Sequence, residues 1–313
     1  MQPIYRRVLI RYFVQQMLER SVTLPLLQLY EKVPIPTSYH AWKSMAADLI
    51  AESNEPWIPA YKNRFQDSGG KIAECAVKHI NSLFEAGGFF LPIFDPDYPE
   101  VLRNCIDPPL ALNVIGPTSK LASHRYRAVV GARKASPVAL KNSYEIGRYL
   151  SDAGFWVVSG GAIGCDIAAH RGCLSSCRNP MPAVIVFAGG LESYYPKHNM
   201  YIFQELKEEG AVFISEKLWG AGAKARDFPV RNRIVAGMSE VVYVMQAGVK
   251  SGAMITANKA LNYGRDVYVL IHDVDDIRAD GSHKLMMEGA LGFENCQNLR
   301  EKSYLGYRVI NAI

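Results

Sequence analysis

From Arg125 onward the chain alternates between short runs rich in β-branched residues and stretches of helical periodicity. That alternation restricts the fold more than any other feature. Strand–helix–strand repeats bury their strands as a parallel sheet covered by helices on both faces. The runs place strands at about residues 126–131, 155–159, 183–188, 211–215, 241–246 and 266–271. The helices fall at about 137–152, 164–176, 199–209, 231–237, 252–263 and 282–289. Residues 91–313 therefore read as an extended, Rossmann-like, doubly wound α/β sheet, mostly parallel. Residues 1–90 read as a small helical N-terminal domain. Apolar residues recur there at helical spacing from Val8 to Leu18, and further helices fit about 22–32, 39–53 and 70–86. The passage from Phe89 to Pro99 holds too many prolines for a helix interior and is taken as the step between domains.

In such a sheet, ligands bind outside the carboxyl ends of the strands. The first strand delivers Gly131-Ala132-Arg133-Lys134 there, the second Ser159-Gly160-Gly161 and the third Gly189-Gly190. The strand at about 241–246 leads to Gly248, Ser251 and Gly252. Glycine lets the backbone approach a ligand closely, and the helix that follows aims free amides at an anion. Gly131, Gly160, Gly161, Gly189 and Gly190 are candidates for that approach, and Ser159, Ser251 and Thr256 for hydroxyl bonds to phosphate oxygens. A dinucleotide fingerprint is absent from the first turn, a Gly replaces the ribose-binding acid, and there is no P-loop. No Ser-His-Asp spacing suggests a catalytic triad, and His170 reads as a packing or orienting residue.

The stretch from Lys224 to Thr256 adds charge: Lys224, Arg226, Arg231 and Arg233 crowd a proline-containing loop around Phe228. Arg133 and Lys134 would face phosphates, with a solvated surface as the alternative for Lys134. Arg231 and Arg233 either contact phosphates too or, for one of them, hold the loop to Asp166 or Glu216. Phe228 either stacks on a base or covers a small local core. The net charge of +5 is mild, but clustering rather than the total decides polyanion binding. No apolar run reaches about 18 residues. Arg11 and two glutamines interrupt any secretory core near the N-terminus, so the reading is a cytoplasmic protein without a membrane segment. Of six cysteines none forms a CxxC pair, and they read as reduced thiols, with no metal and no cofactor expected.

Taken in order, VVGARKAS (129–136), VVSGGAIGCDIAAHRGCL (157–174), GGLESYYPKHN (189–199), FPVRNRIVAGMS (228–239) and SGAMITANKALNYGRDVYVL (251–270) resemble the DNA-processing protein A family, DprA or Smf. FDPDYPEVLRNCIDPPLALNVIG (94–116) is similar to the family's lead-in. The resemblance implies a non-enzymatic protein that binds single-stranded DNA without sequence preference. It also implies protection of incoming strands in natural transformation, assistance in loading RecA recombinase, and a homodimer. Residues 1–90 would match the SAM-like helical domain of many members, though they lack helix-hairpin-helix glycines, and no C-terminal winged helix is expected. The chain departs from the family at Ile163, where a basic residue is usual, at Gln246, and at Ile271-His272. A nucleotide sensor or a phosphoribohydrolase on the same fold is the rival. Lys259 stands where the hydrolase motif would place its catalytic Glu, which argues against the enzyme.

Overall fold

The structure is a computed structural model that describes residues 78–93, 95–121, 125–177 and 182–299. The helices expected at about 22–32 and 39–53 lie outside those residues, and of the one expected over about 70–86, residues 78–85 are described and helical.

A nine-stranded sheet carries the fold. Its strands are β1 (Gly88–Pro92), β2 (Ala111–Ile115), β3 (Tyr126–Val130), β4 (Trp156–Ser159), β5 (Ala183–Phe187), β6 (Val212–Ser215), β7 (Val241–Val244), β8 (Asp266–Leu270) and β9 (Leu291–Phe293). The helices are α1 (Glu100–Arg103), α2 (Pro137–Asp152), α3 (Cys165–Leu174), α4 (Met200–Glu208), α5 (Asp227–Met238), α6 (Gly252–Asn262) and α7 (Asp280–Met287). The strand order is β1-β2-β6-β5-β4-β3-β7-β8-β9. β3 through β9 are parallel neighbours, whereas β1 and β2 run antiparallel at one edge, with Gly88 opposite Ile115 and Asn113 opposite Ser215.

All six strands read from the sequence are present, and three are added. β1 overlaps the stretch from Phe89 to Pro99 taken as a passage between domains, so the sheet already begins at Gly88, before the boundary read at residue 91, and β2 lies in the lead-in segment 94–116. β9 has three residues, too few for a period to register.

The central strands are buried on both faces, which is why YRAVV and AVIVF carry no polar alternation. One face packs Ala128, Val130, Val158, Val184 and Val186 against Ile234, Val235, Met254 and Ala257 of α5 and α6. The other packs Val129, Val157, Ile185 and Phe187 against Ile146, Ile167, Phe203 and Leu206 of α2, α3 and α4. α2 and α3 come very close: a Cβ added at Gly147 would lie 2.1 Å from the Ala169 carbonyl oxygen. Among the described residues no helix is long and apolar enough to cross a membrane.

His170 on α3 is fully buried, and neither ring nitrogen has a hydrogen-bond partner among the described residues. Burial lowers its pKa to about 3. An unfolded histidine titrates near 6.5, so the unfolded chain takes up the proton first, and stability is lost as pH falls from about 6.5 toward 3. The loss should reach about 2 kcal/mol by about pH 5. His170→Phe should flatten the pH dependence of the urea midpoint over that window. His79, which burial lowers to about 4 against the opposing Asn113 bond, and Asp276, which its Arg278 bonds hold below the ordinary value, keep part of the slope. An undiminished slope would mean that His170 is not the titrating group.

Candidate nucleic-acid interface

The strand order reverses between β3 and β7, and the crevice at such a reversal opens at the carboxyl ends of the strands. Here it is stapled by protein. The buried Gln246 side chain accepts from the Ser136 amide at 2.8 Å and donates to Asp276 at 2.8 Å. His272 hydrogen-bonds the Met245 carbonyl at 2.7 Å. Two departures from the family pattern thus join the loops after β3, β7 and β8.

The glycine turns pack against one another rather than standing open. A Cβ at Gly131 would meet Cys165 Sγ at 2.6 Å, and one at Gly164 would meet the Ala132 oxygen at 2.2 Å. Gly189 and Gly190 lie under the loop between β6 and α5, where a Cβ at Gly190 would be 2.0 Å from the Leu218 and Trp219 oxygens. Gly161 has φ +64° against Phe203. The amides are engaged as well. Gly160 and Ala162 donate to the buried Asp166 carboxylate at 3.1 and 3.3 Å, Cys165 donates to Ala132, and Gly190 to Ala221. A carboxylate of the protein therefore fills the anion position that the second turn was expected to offer a phosphate.

The hydroxyls are turned inward too. Ser159 is buried and donates to the Val129 oxygen at 2.6 Å, and Thr256 donates to the Gly252 oxygen at 3.2 Å. Ser251 caps α6 by accepting from the Met254 amide at 3.3 Å. Gly252 is exposed, its carbonyl held by Asn232 at 3.1 Å.

The expected basic loop is helical from Asp227. Pro229 falls in the first turn of α5, where its missing N–H costs nothing because no intrahelical partner exists for it. The helix turns Arg231 and Arg233 inward. Arg231 is 7% exposed and donates to the Gly160 oxygen at 2.8 Å and to the Val186 oxygen. Burial pushes the Arg231 guanidinium down to about 10, partly offset by Asp166. Arg233 Nη2 sits 2.7 Å from both oxygens of the buried Glu216. Of the alternatives the sequence left open, the carboxylate anchor is the one seen at Arg233, and Arg231 braces the β4 and β5 ends.

What faces solvent is a smaller group. Arg133 and Lys134 are exposed, and no carboxylate among the described residues pairs with either. The Arg133 guanidinium lies 5.4 Å from the half-buried Phe228 ring, and Tyr195 packs edge-on to that ring at 5.6 Å. Tyr195 is 50% exposed. These residues, with Gly160, Ala162, Ile163, Pro196 and Arg231, line a cavity of about 30 Å³. That is room for one water, so a base would lie across its mouth and not inside it. Lys224 and Arg226 are exposed on the loop that leads into α5. The sequence reading named Arg133 and Phe228 but not Tyr195; the signal was the Tyr-Tyr-Pro run after the third strand, whose first tyrosine is core and whose second is surface.

Lys259 extends its ammonium to Asp107 at 3.5 Å. No group of three His, Cys, Asp or Glu among the described residues is placed to share a metal ion.

The family description for DNA recombination-mediator protein A matches residues 89–303. The Smf protein of Synechocystis is 36% identical over 204 residues, which cover 64% of this chain and 50% of that protein. The DNA processing protein DprA of Streptococcus pneumoniae is 34% identical, covering 68% of this chain and 73% of that one. The chain thus spans about half the length of the Synechocystis relative. In three dimensions, DprA of Streptococcus pneumoniae superposes with a TM-score of 0.72 at 25% identity, covering 96% of this chain and 98% of that chain. DNA processing protein A of Helicobacter pylori, whose structure was determined for its single-stranded DNA binding mode, superposes at 0.62 with 29% identity, covering 70% and 96%. The fold and the sequence agree, and the chain belongs to the DNA recombination-mediator protein A family, that of DprA and Smf.

Proposed function

We propose that this protein binds single-stranded DNA through the exposed Arg133, Lys134 and Tyr195, the half-buried Phe228 ring and the Lys224–Arg226 loop, without reading a defined sequence. A basic edge beside aromatic rings is what such binding requires, because phosphates need cations and every base has a face to stack. The carrying observation is the unpaired Arg133 guanidinium over the Phe228 ring, with Tyr195 beside it. The single-strand binding described for the Helicobacter pylori protein supports the reading. The role that goes with it is that of a cytoplasmic, non-enzymatic recombination mediator, which protects incoming strands and helps to load RecA recombinase. Gly160 and Arg231 line the cavity, whereas Ser159, Thr256 and Arg233 bond within the protein and Gly131, Gly161, Gly189 and Gly190 pack against it.

A homodimer through the late part of the chain belongs to the same reading. Leu285 and Phe293 are core residues, but Val274, Ile277, Met287 and Leu291 are exposed. A monomer by light scattering at micromolar concentration would remove the dimer.

Arg133→Ala tests the strand assignment. Binding of a labelled oligonucleotide, followed by anisotropy, should weaken about tenfold, because a charge-assisted bond is lost. The slope of log affinity against log salt should fall by about 0.7, one phosphate's share for a single strand. An unaltered affinity and slope would remove Arg133 from the contact.

A further inference from the structure

A second cavity, about 440 Å³, lies on the far side of the loop between β6 and α5. It is lined by Lys78, His79, Ser82, Glu192, Leu218, Trp219, Gly220 and Ala221. Its walls are fixed: His79 accepts from the Trp219 amide at 2.8 Å, the Glu192 amide donates to the Trp219 oxygen, and Gly190 donates to Ala221. Leu218 and Trp219 are half-buried. Lys78, Ser82 and Glu192 have no side-chain hydrogen bond or ion pair among the described residues. Glu192 lies against Gly220, where an added Cβ would be 2.9 Å from Oε2. A preformed cavity with apolar walls and a few unmatched polar groups is how small-molecule sites are built.

We infer that this cavity is a base subsite, taking a nucleobase that carries an exocyclic amino group from the strand gripped at Arg133. The inference rests on the strand-binding reading. Glu192 and Tyr195 lie on one loop, and three residues reach at most about 10 Å, so one strand can pass both cavities. Size favours a base here, since the cavity beside Arg133 holds about 30 Å³ and this one about 440 Å³. The Glu192 carboxylate repels a phosphate from its own wall of the cavity. The same carboxylate accepts from an amino group: cytosine N4 is a donor, whereas O4 of thymine or uracil is an acceptor. Lys78 and Ser82 stand on the opposite wall, the helical stretch 78–85.

Oligo-dC and oligo-dU of equal length differ in the group at C4 and in the proton on N3. The wild-type protein should bind oligo-dC about three- to tenfold more tightly, the value of one hydrogen bond. Glu192→Ala should bring the ratio to about one, with oligo-dU bound more tightly than by the wild type because a negative charge near the strand is removed. The ratio is the readout, so the general electrostatic gain does not disguise the result. A ratio of one in the wild type, or a ratio unchanged by Glu192→Ala, would overturn the subsite. If oligo-dU binding still depended on Arg133 in that case, the strand reading would stand alone; if no strand bound, both would fall. If cytidine monophosphate raised the melting temperature of the wild type but not of Glu192→Ala while the oligonucleotide ratio was one, the cavity would belong to a free nucleotide and not to the strand.

Discussion

Glu216→Ala should destabilise the protein by about 3–5 kcal/mol, the cost of leaving a buried charge without its partner. Glu216 follows β6, and both its oxygens lie 2.7 Å from Arg233 Nη2. Both side chains are about one-tenth exposed or less, so little water can replace the lost carboxylate. Burial opposes the Arg233 charge, yet Glu216, Asp107 and Tyr98 around it keep its pKa above the ordinary value. Arg233 Nη1 is already without a hydrogen-bond partner among the described residues, which leaves no reserve there once the carboxylate goes. The double variant Glu216→Leu/Arg233→Met should recover much of the loss, because an apolar pair of similar volume removes both desolvation terms. Urea midpoints of the two variants decide the matter. If the double variant is no more stable than Glu216→Ala, the cost comes from lost packing and not from the unpaired guanidinium.

That pair also shows where sequence reasoning stops. A run of arginines in FPVRNR reads as a phosphate grip as long as its backbone is unknown. Once Asp227–Met238 is a helix lying over β3, β4 and β5, Arg231 and Arg233 face the sheet and find carbonyls and a carboxylate there. The glycines present the same difficulty. Composition at Gly131, Gly160 and Gly190 announces a close backbone approach but not what approaches, and in each case it is another part of the protein. The parallel strands were legible because burial on both faces leaves continuous apolar runs between helical stretches. β1 was not, because Pro92 and its neighbours hide a strand at the sheet's edge, where proline does little harm. β2 was not, because ALNVI carries Asn113, a buried amide that bonds His79 and the Lys217 carbonyl. The exposure of Arg133 and Lys134 was legible, since basic residues beside a glycine turn at a strand's carboxyl end seldom find room in the core.

Tyr195→Ala/Phe228→Ala should weaken single-strand binding about 10- to 100-fold, the value of one to two stacked bases. Adjacent tyrosines supply the control. Tyr194 stacks on Phe187 at 4.9 Å and lies edge-on to Phe203 and Phe213, so Tyr194→Ala opens a hole in an aromatic cluster of the core. Tyr195, half exposed, packs edge-on to Phe228 and lines the cavity. Removing Tyr195 and Phe228 should therefore leave the melting temperature within a few degrees of wild type, whereas Tyr194→Ala should lower it. The salt dependence separates rings from charges. Stacking releases no counterions, so the double variant should keep the wild-type slope, while Arg133→Ala reduces it. A double variant that lost slope as well as affinity would show that the rings act by holding Arg133 in place, consistent with its guanidinium lying 5.4 Å from Phe228. Unchanged affinity would mean that the strand does not cross this cavity at all, and the cationic loop at Lys224 and Arg226 would then have to carry the contact alone.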